Sequence, residues 1–224
     1  VYWPCDDGSG DTVVDASGNG WDATILANSY EWVGGKYEGA LNMQGTNTEV
    51  TGDIIGSTGD TGEITLMCWF IMYQHSTYNG LISIEAPVGE CCEYRLMINP
   101  SKNPFWNMGH HVDMSLASFI FEMETWYHYA LTGDGDTGKV YVDGEFIGEQ
   151  AEGFDLPDLD EVIVYIGTGE APGTWTVEDC TFDEVMIWDK ALSEDEIRDL
   201  MEGGMLAVSP KEKASTTWSR IKTQ

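Results

Sequence analysis

Short runs rich in apolar, β-branched and aromatic residues recur along most of the chain between turn signals, as expected of β-strands. Val1 to Cys5, Leu81 to Ile84, Glu93 to Ile98, Lys139 to Val142, Glu145 to Gly148 and Glu161 to Gly167 read this way, and Trp126 to Thr132 alternates with the period of two. Ala40 to Val50 reads as a strand, a turn and the start of another strand. The run from Ile64 to Met72 does not alternate, being almost wholly apolar. It is too short to cross a bilayer and fits a strand buried on both faces at the centre of a sheet. Asp143-Gly144 predicts a hairpin closed by a type I′ turn, because both residues of that turn need positive φ. Asn99 to Asp113, with Pro100, Pro104 and Gly109, is expected to be a loop or an irregular hairpin.

Phe182-Asp-Glu-Val-Met-Ile-Trp188 is the last predicted strand. Its period of two places Asp183 with Val185 and Ile187 on the core face, and Phe182, Met186 and Trp188 on the other. A lone carboxylate in a core is costly unless a cation or several donors meet it. Ser193 and Glu196 then have the spacing of a capping box, opening a helix from Glu194 to about Met201 that Gly203-Gly204 stops. Many short strands with frequent turns predict an all-β, two-sheet antiparallel sandwich over residues 1–203, with one short helix near its C-terminal side. Residues 204–224 differ in character: Lys211, Lys213, Arg220 and Lys222 supply four of the ten basic residues, against a single acid, Glu212.

The balance of 39 acidic to 10 basic residues, a net charge of −29, repels nucleic acid and anionic membranes. It suits cations, neutral ligands and a saline exterior. The five cysteines include no CxxC pair, which argues against a structural zinc site. Cys5 and Cys180 have the placement to bridge if their strands are neighbours, Cys68 reads as a core thiol, and Cys91 and Cys92 have no assigned partner. No apolar run spans a bilayer. The sequence begins at Val1 without a leader, which is compatible with one having been removed.

Asp15-x-Ser17-Gly-Asn19-Gly20-Trp21 has the first half of a calcium loop: oxygen side chains at positions 1, 3 and 5, glycine at 6 and a carbonyl at 7. Position 12 is Leu26 instead of a bidentate Glu, so a complete EF-hand is excluded. Two readings stand: a glycine-rich Asx-turn without metal, or half of a calcium site completed by another carboxylate, for which Asp183 is the candidate. Asp134-x-Asp136 with Glu145 mimics the same loop, but Lys139 holds the glycine position and the hairpin reading takes precedence.

Five motifs occur in order: Asp15-x-Ser17-Gly-Asn19-Gly, Gly39-Ala-Leu-Asn-Met-x-Gly45, Trp126-x-His128-x-Ala130, Gly138-Lys-x-Tyr-Val-Asp-Gly144, and Phe182-Asp-Glu-Val-x-Ile-Trp-x-x-Ala-Leu-Ser-Glu-Asp-Glu-Ile197. Together, over residues 1 to about 203, they resemble the laminin G-like family of concanavalin A-type jelly rolls, as found in many bacterial extracellular proteins. The resemblance implies two curved antiparallel sheets with the first and last strands adjacent, which would bring Asp183 to the Asp15–Asn19 loop. It also implies a structural Ca2+ on Asp15, Asn19 and Asp183, with Asp6 and the carbonyls near Gly20 and Trp21 as lesser ligands. The chain departs from the family pattern at Cys5, where an aromatic is usual, and in the 99–113 segment.

Glucanases of similar fold carry Glu-x-Asp-x-x-Glu on one strand, two carboxylates at the separation retaining chemistry needs. That spacing is absent; Glu122-Met-Glu124 has no third acid. No Gly-x-Ser-x-Gly elbow appears either. The expectation is therefore no catalytic residues and a non-catalytic, calcium-stabilised recognition module of an extracellular protein, binding glycan. A protein-binding adhesion domain and a divergent glycoside-active enzyme are the alternatives. Loop aromatics, Trp106 and Trp175 first, then Tyr78 and Trp32, are the expected sugar-stacking residues, since their rings pair an apolar face with a polar tip.

Overall fold

The computed structural model describes residues 1–45, 50–55, 63–85, 94–108, 113–151, 161–169 and 173–203. In chain order the strands are β1 (Tyr2–Trp3), β2 (Thr12–Val13), β3 (Ala23–Ile25), β4 (Tyr30–Gly34), β5 (Gly39–Gln44), β6 (Val50–Ile55), β7 (Ile64–Gln74) and β8 (Asn79–Glu85). They continue with β9 (Tyr94–Ile98), β10 (Pro104–Met108), β11 (Asp113–Ser115), β12 (Tyr127–Gly133), β13 (Thr137–Val142), β14 (Glu145–Ala151), β15 (Glu161–Ile166) and β16 (Asp179–Trp188). One helix, α1 (Glu194–Met201), follows.

These strands make two eight-stranded antiparallel sheets. The first runs β14-β13-β12-β7-β16-β5-β4, with β1 also on β16; the second runs β11-β10-β9-β8-β15-β6-β3-β2. Between them lie Trp3, Leu41, Leu66, Phe70, Tyr94, Trp106, Phe121, Phe182 and Val185, all fully or almost fully buried. β7 is central and buried on both faces as its composition predicts: Leu66, Cys68 and Phe70 enter the core, while Met67 lies under α1. Ser193 and Glu196 form the predicted capping box, and Ile197 buries the helix against Tyr2, Ala130, Tyr141 and Met186. Asp143 and Gly144 adopt φ of 51° and 75°, turning β13 into β14 as expected.

Three expectations need correction. Trp106 does not lie in a loop: of the two readings of the 99–113 segment the hairpin holds, β10 pairing antiparallel with β11, and Trp106 pairs with Leu96 in the core, 1% exposed. Pro104 opens β10, where a missing N–H is tolerated, and Asn99 closes the preceding turn by accepting from the amides of Ser101 and Asn103. Cys5 and Cys180 do not bridge; with Cys68 they are buried free thiols, and Cys91 and Cys92 lie outside the described residues.

The third correction concerns β16. A bulge between Asp183 and Met186, with Glu184 at φ 51°, inserts one residue into the period of two. Phe182 and Val185 therefore both enter the core. Asp183 pairs with Trp69 and turns to the outward face of the first sheet.

Candidate functional site

The bulge lies where β16 changes partner. Its first half, Asp179 to Phe182, pairs with β5; Val185 and Met186 pair with β1. Between these partners the sheet opens, and Asp6, Asp183 and Glu184 gather around the opening. Asp183 is fully buried. Its Oδ2 accepts the Tyr37 amide at 2.9 Å, while Oδ1 has no hydrogen-bond partner. The 35–38 turn approaches this closely because residue 35 is glycine: a Cβ there would stand 2.0 Å from the Gly39 carbonyl and 2.6 Å from Asp183 Oδ2. Asp6 accepts the Gly39 amide at 2.6 Å, and Glu184 accepts the Tyr2 hydroxyl at 2.8 Å. Cys5, Glu38 and Glu184 all hold positive φ here, a concentration of backbone strain of the kind that accompanies functional sites.

Burial pushes the Asp183 carboxyl up to about 7; the amides of Tyr37 and Lys36 oppose the rise, and Glu184 and Asp6 add to it. Glu184 is also raised, first by burial. An orphaned carboxylate oxygen beside two further acids is the environment a hard cation relieves. Among the described residues, no three His, Cys, Asp or Glu side chains are arranged to hold a metal on their own, so backbone carbonyls or water would complete any cation's shell here.

Asp15 and Asn19 have other partners. Asp15 Oδ1 accepts the amides of Tyr2 and Ser17, and Oδ2 accepts the Ser17 hydroxyl and the Trp21 amide. Although burial acts to raise its carboxyl, these donors hold it below the ordinary value. Exposed Asn19 donates to Ser17, and the Trp21 carbonyl accepts the Trp3 indole. Gly20, at φ 78°, closes the turn. Asp15 thus fastens the half-loop to the start of β1 at Tyr2, whereas Asp183 lies past its end, beside Asp6. Of the residues expected to bind metal, the structure brings Asp183 and Asp6 to one place. Glu184, one residue on, was missed because it reads as an ordinary strand position until the bulge is seen.

The expected sugar-stacking residues divide similarly. Trp106 is in the core. Trp32 is on β4 at the edge of the first sheet, its indole donating to the Gly10 carbonyl at 3.0 Å. Tyr78 and Trp175, both half-buried, come together over the outward face of the second sheet with ring centroids 5.8 Å apart. Phe105 lies 5.1 Å from Tyr78, and the Arg95 guanidinium 5.2 Å over the Trp175 ring. Trp175 holds φ 55°, and its carbonyl accepts the Gly80 amide at 2.7 Å. Gly80 and Gly169 make room for this: a Cβ on Gly80 would meet the Gly169 nitrogen at 2.0 Å, and one on Gly169 would meet Met97 Cε at 2.7 Å. Beside the aromatic group a polar row crosses the same face in register, from exposed Asp113 through buried Asn107, Arg95 and Ser83 to half-buried Tyr165 and Thr51. That row was missed because each member reads as an isolated strand position until pairing aligns them.

The sandwich is of the jelly-roll class. A laminin G-like family model, described as the concanavalin A-like lectin/glucanases superfamily, matches residues 44–198, and the chain belongs to that family. No curated protein matches. Solved structures of similar fold include the Trypanosoma rangeli sialidase in complex with 2,3-difluorosialic acid, at 18% identity and TM-score 0.68, covering 89% of this chain and 32% of that one. The binding domain of Paraclostridial Mosquitocidal Protein 1 matches at 16% identity and TM-score 0.64, over 86% of this chain and 50% of that one. The botulinum neurotoxin serotype D binding domain matches at 14% identity and TM-score 0.66, over 91% and 51%. The chain spans about a third of the length of the sialidases it matches.

These matches correct the expectation that the chain is not an enzyme. Its fold recurs within chains that are sialidases as well as within binding domains, so a missing glucanase triplet does not mark the chain as non-catalytic.

Proposed function

We propose that the chain is a carbohydrate-binding domain that works outside the cell and is stabilised by calcium. The observation that carries the reading is the Tyr78–Trp175 pair set beside a registered polar row on one outward sheet face. Aromatic faces stack on the C–H face of a sugar ring while neighbouring amides, hydroxyls and carboxylates take its hydroxyls. The Gly80 and Gly169 contacts support a platform formed before ligand arrives, which lowers the ordering entropy of binding.

Calcium belongs at the β16 bulge in this reading, with Asp183 and Asp6 as side-chain ligands and Glu184 within the same acidic cluster. The buried, unpartnered Asp183 Oδ1 supports it, and hard oxygen donors suit calcium. The acidic composition accords with an extracellular setting.

Glycan-array binding followed by calorimetric titration of a hit tests the reading. Trp175→Ala and Tyr78→Ala should each weaken affinity by about fivefold, the equivalent of roughly 1 kcal/mol for a stacked ring, without changing the melt. Unchanged affinity in both variants, or a protein partner bound while every glycan is silent, would refute the glycan assignment. For the metal, calcium should raise the melting temperature of chelator-stripped protein, and Asp183→Ala should abolish the increment. Identical melts in calcium and chelator would remove calcium from the account.

A further inference from the structure

We infer that the sugar bound at the Tyr78–Trp175 platform is uncharged, recognised through its hydroxyl donors and not through a carboxylate or sulfate. The inference rests on the carbohydrate reading above and narrows its ligand class. It concerns which hydrogen-bonding roles and which charges the platform leaves open.

The acceptors come first. Asn107 alternates with the core residues Trp106 and Met108, so its side chain stands on the outward face with Arg95 and Asp113. Its Nδ2 donates to Asp113 Oδ1 at 3.3 Å, while its Oδ1, in a residue 1% exposed, has no partner. Asp113 is exposed and, ionised, only accepts. Ser83 already donates its hydroxyl to the Thr168 carbonyl. Of the row, Asp113 is the exposed member, whereas Asn107, Arg95 and Ser83 are buried; this exposed acceptor takes donors, which a sugar hydroxyl supplies and a carboxylate or sulfate does not.

The charges agree. Only six of the ten basic residues precede residue 204, against all but one of the 39 acidic residues. Of those six, Lys36 lies over Trp69 on the opposite sheet, Lys139 is on β13 facing Glu149, and Lys190 and Arg198 pair with acids of α1. Lys102 lies in the turn between β9 and β10. Arg95 is the basic residue of the row itself, and it is committed: 3% exposed, 3.9 Å from Glu85 and stacked on Trp175. Glu178, which accepts from the Ser76 hydroxyl beside Tyr78, adds another negative charge. An anionic sugar would enter an acidic surface whose central cation is already neutralised, and like charges brought together oppose binding.

The test uses the full chain and matched glycan pairs differing by one acidic group, such as N-acetyllactosamine and its sialylated form, or neutral oligosaccharides and their uronate or sulfated counterparts. Neutral members should bind. Adding the acidic group to a hit should weaken affinity by about tenfold or more at low salt, and the penalty should shrink at high ionic strength as screening removes the repulsion. An acidic member binding as tightly as its neutral counterpart would overturn the inference while leaving the carbohydrate reading standing. A salt-insensitive penalty would also overturn it, since the exclusion would then be steric. If no member of any pair binds, the carbohydrate reading itself fails.

Discussion

Replacing Asp183 by Asn separates two effects that a buried carboxylate otherwise mixes. Its carboxyl titrates near pH 3.8 when unperturbed and is pushed up to about 7 by burial, against the Tyr37 and Lys36 amides and with Glu184 and Asp6 reinforcing the rise. The sign follows from proton counts. Between these values the folded state holds a proton that the unfolded state has released, so this group's stabilising contribution is complete below pH 3.8 and is lost as pH rises through 7. Three units correspond to about 4 kcal/mol at pH 8 and to under about 2 kcal/mol at pH 5. In chelator at pH 8, Asp183→Asn should therefore be more stable than wild type by up to about 4 kcal/mol, and the gap should narrow at pH 5. The figure is an upper one, because the new amide needs an acceptor.

Calcium should narrow this gap. A ligand at free concentration c that binds only the folded state stabilises it by RT ln(1 + c/Kd), about 2 kcal/mol at fifty times Kd. Wild type should gain this on calcium addition and Asp183→Asn should not. The assay is a pair of thermal or denaturant melts at pH 5 and pH 8, each in chelator and in millimolar calcium. Titrating groups remote from Asp183 are common to both proteins and cancel in the difference, while Glu184 and Asp6, which interact with it, belong to the measured effect. A variant less stable than wild type in chelator at pH 8 would refute the argument, because the carboxylate would then be contributing hydrogen bonds worth more than its charge costs.

Two further predictions follow from other buried groups. His128, 1% exposed and edge-on to Trp69, is pushed down to about 3 by burial, so its stabilising contribution is present above the unfolded value of about 6.5 and fades below it, by about 2 kcal/mol at pH 5; His128→Gln should flatten the acid limb of the stability profile, and an unchanged limb would contradict this. Trp106→Ala should destabilise the fold by about 3–5 kcal/mol as a core truncation, whereas Trp175→Ala should leave the melt nearly unchanged, and equal losses in both would mean that Trp175 is core as well.

Where local rules decide the geometry, the chain was legible. The Asp143-Gly144 turn, the Ser193–Glu196 capping box and the two-faced burial of β7 each follow from a few adjacent residues. The pairing of β1 with β16 came from the family resemblance and is present. The bulge was not legible, because the period of two continues unbroken in the letters Phe-Asp-Glu-Val-Met-Ile-Trp; only the handover from β5 to β1 makes an extra residue necessary. That one residue moved Asp183 from the core to the outward face. Trp106 was misplaced for a different reason: prolines at 100 and 104 signal a loop, yet a proline at the first position of a strand leaves its pairing intact.

The same bulge also separates the two candidate sites. Asp183 and Asp6 stand on the outward side of the first sheet, and the Tyr78–Trp175 platform stands on the outward side of the second, with the core of Leu66, Phe70, Trp106 and Phe182 between them. Sheets stack about 10 Å apart, so a cation at the first site cannot also ligate a sugar at the second. Calcium would then act on glycan binding only by changing how much of the chain is folded. At temperatures well below the melt, chelator should leave glycan affinity unaltered; close to the melt, it should lower the bound fraction in step with the folded fraction. Loss of affinity in chelator while the fold stays intact would require the metal to touch the ligand, and would move the binding surface to the bulge.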